Sequence, residues 1–62
     1  MTIKELANLQ LRVEDVTLKA MLDLKTDLAE ECVKIWDTFR FGKLTLDIAT
    51  AKMNEIEDKL AA

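Results

Sequence analysis

The chain has no histidine, serine, tyrosine or proline, one glycine (Gly42) and one cysteine (Cys32) in 62 residues. Without histidine or serine, the common catalytic triads, imidazole acid–base chemistry and histidine-ligated metal sites are excluded. A lone cysteine closes no internal disulfide, so nothing calls for an oxidising compartment. Without proline, and with one glycine, few positions interrupt a helix. No apolar run approaches the roughly 20 residues that span a bilayer. The first residues, Met1-Thr2-Ile3-Lys4-Glu5, lack the basic-then-apolar layout of a signal peptide, and a cytoplasmic location is the expectation.

What is present points to helix. Half the residues are apolar and 34% are charged, with Leu, Ala, Lys, Glu and Asp abundant. This composition predicts an all-α protein, and the length allows one domain, residues 1–62. Nine basic against twelve acidic residues leave a net charge of −3. That sign argues against a general nucleic-acid or anionic-membrane binder. Residues 1–31 hold four basic and seven acidic groups, and residues 32–62 hold five of each.

Thr2 and Glu5 fit a capping box that opens a helix. No glycine or proline follows until Gly42, where a helix C-terminus favours a residue tolerant of positive φ, preceded by Arg40 at the negative dipole end. Thr45 then fits an N-cap, with Asp47 in the first turn of a second helix from about Leu46 to Leu60. The pattern predicts a helical hairpin: a long helix 1 from Ile3 to Phe41, a tight turn at Gly42 and a shorter helix 2. At 1.5 Å per residue the two would be ~58 Å and ~23 Å long.

On a helical wheel, helix 2 carries Leu46, Ala49, Met53, Ile56 and Leu60 as a narrow seam. The second half of helix 1 gathers Leu28, Ala29, Cys32, Val33, Ile35, Trp36 and Phe39 to receive it. The first half has two apolar stripes. Leu6, Leu9, Val13, Val16, Ala20 and Leu24 form one; Leu11, Leu18 and Leu22 lie roughly opposite. One short partner helix cannot cover both, and each buried Leu or Val is worth about 1.5–3 kcal/mol. The expected solution is an antiparallel homodimer in which each N-terminal half lies against the partner's hairpin. Its self-association surface would use Leu6, Leu9, Leu11, Val13, Val16, Leu18, Ala20 and Leu22. The competing layout is a monomeric three-helix bundle with a break near Asp23 to Asp27, where Asp27 with Glu30, or Thr26, offers a second cap.

Few residues suit chemistry. Cys32 falls on the apolar face with no histidine to activate it, and reads as a small core hydrophobe. The doublets Glu14-Asp15, Glu30-Glu31 and Glu57-Asp58 point about 100° apart on a helix and make poor metal clamps. Glu30 with Lys34 and Glu55 with Lys59 have the spacing of solvated ion pairs. No catalytic residue, metal or cofactor is expected, and the chain reads as a non-enzyme. The distinctive patch is Trp36, Phe39, Arg40, Phe41, Gly42 and Lys43, in which Trp36, Arg40, Phe41 and Lys43 are the candidate contacts to an outside partner.

In size and layout the chain resembles the Rop-type helical hairpin, which dimerises into a four-helix bundle, although its helices are unequal. Gly42-Lys43-Leu44-Thr45 is similar to the turn of the SHOCT-type bacterial hairpin, over less than half the chain and without the acidic run that follows the threonine there. The expected function is that of a small protein-binding, assembly or regulatory accessory protein of bacterial or phage type, acting as a helical homo-oligomer. The alternatives are a Rop-like nucleic-acid regulator presenting Arg12, Lys19, Arg40 or Lys43, and a subunit that packs its N-terminal helix on a larger protein.

Overall fold

The computed structural model describes all 62 residues and contains three helices and no strand. Helix α1 spans Ile3–Leu22, α2 Thr26–Arg40 and α3 Leu46–Ala61. They form an up-down-up bundle of 32 × 20 × 15 Å.

The first and last helix starts follow the sequence. Thr2 Oγ1 accepts the Glu5 N–H at 3.1 Å, and the Glu5 carboxylate accepts the Thr2 N–H at 3.1 Å, closing the capping box. The bonds that the Thr2 N–H and hydroxyl donate to the Glu5 carboxylate hold that carboxyl below its ordinary value. Thr45 Oγ1 accepts the Ile48 N–H at 3.2 Å and caps α3.

The expected long helix 1 gives way to the competing layout: the chain breaks at Asp23–Lys25, within the Asp23 to Asp27 stretch, and the all-α fold has three helices instead of a two-helix hairpin. No glycine or proline makes the break. Leu24 adopts the left-handed conformation (φ 58°). The Lys25 N–H reaches the Ala20 carbonyl at 2.8 Å and the Leu24 N–H reaches Met21 at 3.1 Å. This is a Schellman motif with leucine in the place glycine usually takes. The Gly42 turn repeats it, with Gly42 at φ 78° and the Lys43 N–H on the Thr38 carbonyl at 3.0 Å. The second capping box does not form either, because α2 begins one residue after Lys25, which makes no side-chain cap.

Burial explains why the chain accepts this break. A leucine in the left-handed region costs about 1–2 kcal/mol. Folding α1 back buries Leu9, Val13, Val16 and Ala20 within the same chain, and each large side chain contributes about 1.5–3 kcal/mol. The core is completed by Leu28, Ala29, Cys32, Ile35 and Phe39 of α2 and Ala49, Met53 and Ile56 of α3. Ala20, Cys32, Ala49 and Met53 are fully buried, and the two alanines let the helices approach closely. Trp36 packs against this core with its ring 5.9 Å from that of Phe39.

Candidate interaction surfaces

The eight residues expected to drive self-association divide by helix face. Leu9, Val13, Val16 and Ala20 lie in the intramolecular core and are unavailable to another copy while the bundle is closed. The opposite stripe stays open, with Leu11 64%, Leu18 56% and Leu22 74% exposed, and Leu6 lies at the margin, just over one-third exposed. The bundle therefore satisfies one stripe of α1 and leaves the other without a partner.

That stripe borders a groove of about 360 Å³ between α1 and α2. Val13, Leu18 and Met21 line it from α1, Val33 and Trp36 from α2, and Gln10, Glu14 and Thr17 sit along its edge. Met21 and Val33 are about half exposed, and sequence reasoning assigned neither to a surface. Val33 carried a signal, since it falls at the edge of the broad apolar face of α2. Met21 carried none on a wheel drawn through an unbroken helix.

The second surface is the end of α2. Trp36 is half-buried against the core, so only part of it is available for contact. Phe41 caps the helix with 71% of its surface exposed. The Arg40 guanidinium lies over the Phe41 ring, 5.4 Å from its centroid, and also contacts Asp37 at 3.5 Å. Lys43 is exposed in the turn. Trp36, Arg40, Phe41 and Lys43 thus share one end of the bundle, with an aromatic ring and two cations facing outward.

Arg12 joins α1 to α3. Its Nε and terminal nitrogen donate to both carboxylate oxygens of Glu57 at 3.2 and 2.7 Å, and it also donates to the Asn54 side-chain oxygen. Hydrogen bonding to Arg12 holds the Glu57 carboxyl below its ordinary value, and the same bond raises Arg12. Lys19 pairs with Asp15 at 3.0 Å. The helical pairs Glu30–Lys34 and Glu55–Lys59 are not closed; the three salt bridges are Arg12–Glu57, Lys19–Asp15 and Arg40–Asp37.

Cys32 is buried and its thiol is pushed up, first by desolvation. No three His, Cys, Asp or Glu side chains gather closely enough to hold a metal ion. No helix is long and apolar enough to cross a membrane. Compared with known proteins, the chain matches no family model, no curated protein and no solved structure.

Proposed function

We propose that this is a small non-enzymatic assembly protein that associates with a second copy of itself through the outer face of α1. The observation that carries this reading is the open stripe of Leu11, Leu18 and Leu22, continued across the groove by Met21 and Val33. If a fully exposed side chain of this kind presents roughly 170 Å², these five expose about 500 Å² of apolar surface, toward the upper end for a typical monomer. A standard interface covers about 800 Å² per partner, of which some 56–58% is non-polar. The patch therefore matches the apolar share of one such interface. A single self-complementary patch closes as an isologous two-fold dimer, and in this reading its two α1 helices run antiparallel.

The basic residues support a protein partner over a nucleic acid. Arg12, Lys19 and Arg40 each contact an acidic side chain of their own chain. Arg40 and Lys43 also lie at the opposite end of the bundle from Lys19 and the end of α1.

Light scattering over a concentration series tests the reading. The expected result is a species of twice the chain mass that Leu18→Lys converts to one chain mass, with helical circular dichroism unchanged because Leu18 lies outside the core. A wild-type protein that stays at one chain mass into the high micromolar range would overturn it.

A further inference from the structure

We infer that a second copy of this chain also fits a site inside the bundle, the seat of α1, and that the two copies exchange α1 by straightening the connection at Asp23–Lys25. Leu24 carries the inference. It stands in the left-handed region with 86% of its surface exposed, so it is strained and unburied at once. In an unbroken helix it would lie four residues after Ala20 and four before Leu28, both core residues. Val16, Ala20, Leu24, Leu28 and Cys32 then lie on one i, i+4 row that winds from the core face of α1 to that of α2, and Leu24 is the only member of that row exposed in the closed bundle. Straightening removes the left-handed residue and extends the helical hydrogen-bond ladder through it.

The remaining conditions for exchange are also met. The connection is three residues long and contains neither glycine nor proline, and short strained hinges invite swapping. Each half of the exchanged dimer would hold one α1 against the other copy's α2 and α3, with the same core and the same Arg12–Glu57 contact as the monomer. The joined helix would run from Ile3 to Arg40, about 57 Å. This inference shares with the reading above the premise of self-association, but it needs none of the outer stripe: an exchanged dimer forms when unfolded chains refold together and keeps twice the chain mass in Leu18→Lys, whereas the outer-stripe dimer of closed bundles does not.

Two complementary variants test it. Arg12→Glu and Glu57→Arg each set like charges between α1 and α3 when folded alone. Unfolded together and refolded as a 1:1 mixture, they restore an opposite-charge pair in both halves only if α1 is exchanged. The expected product has twice the chain mass, contains one chain of each kind and melts close to wild type. Adding Leu24→Gly to both chains should lower its yield roughly tenfold or more, since glycine favours the left-handed turn and disfavours the helix. A mixture that melts as the sum of its parts would overturn exchange, and so would an undiminished yield with Leu24→Gly. If the mixture fails while wild type is dimeric and Leu18→Lys disperses it, exchange is wrong and association through the outer stripe stands.

Discussion

Leu24 and Gly42 occupy the same place in two Schellman motifs, and the difference between them is conformational. Gly42 at φ 78° has no atom within 4 Å of where a Cβ would sit, so Gly42→Ala adds strain without a clash. Leu24 at φ 58° already bears that strain and gains little from burial. The two substitutions should therefore act in opposite directions on the closed bundle. Gly42→Ala is expected to cost about 1 kcal/mol and Leu24→Gly to gain about 1 kcal/mol. Urea denaturation at low protein concentration, where dimer is negligible, reads both. A loss of stability in Leu24→Gly would show that the leucine side chain contributes to the closed form.

At the scale of the helices, the contact between α1 and α3 makes stability depend on pH. The Glu57 carboxyl is held below its ordinary value by Arg12. The folded state thus binds fewer protons than the unfolded chain as pH falls through the carboxylate range. Its contribution is present above the unfolded value and is lost as pH drops through the depressed folded one. Glu57→Gln should flatten that acid limb, which urea midpoints between pH 7 and pH 3 would show. The pair is part-exposed, with 28% and 43% of the two side chains accessible, so a modest effect is expected.

The helices also show what was legible in the sequence. Thr2, Glu5, Thr45 and Gly42 announce their roles because each acts through its own side chain, or lack of one, on backbone a few residues away. The two stripes of α1 were legible as stripes, since periodicity reports which residues share a face. Periodicity does not report what covers a face: in the closed bundle the stripe of Leu9, Val13, Val16 and Ala20, expected between copies, lies in the chain's own core. The break near Asp23 to Asp27 was legible only as the competing layout, for a related reason. A Schellman motif is made of backbone bonds, and leucine at its left-handed position leaves no local signature. Only the burial gained by folding α1 back selects it. Glu57 was missed as the partner of Arg12 because the pair spans 45 positions, and no local rule joins them.

For the whole molecule, size dominates. A chain of 62 residues buries twelve side chains in its core, and domains near this length are marginal. Association of the kind proposed would then add to total stability, because a partner that binds only the folded form shifts the equilibrium by mass action. The thermal midpoint of wild type is expected to rise as concentration is raised a hundredfold, while that of Leu18→Lys should rise less. Equal and flat midpoints in the two proteins would count against an outer-stripe dimer.

The up-down-up path sets one further condition on any pairing. Lys25 at the start of α2 donates to the Lys59 carbonyl near the end of α3, so the C-terminus lies beside the first connection, at the opposite pole from Met1. In an antiparallel pair, the last residue of one copy consequently comes to the same pole as the first residue of the other. Two copies joined in tandem would need only a short flexible tether to sit side by side. Parallel pairing would demand one that crosses the full 32 Å of the bundle, about ten extended residues. Tether length is thus a ruler for orientation: one gene encoding both copies could discriminate the two arrangements without a crystal.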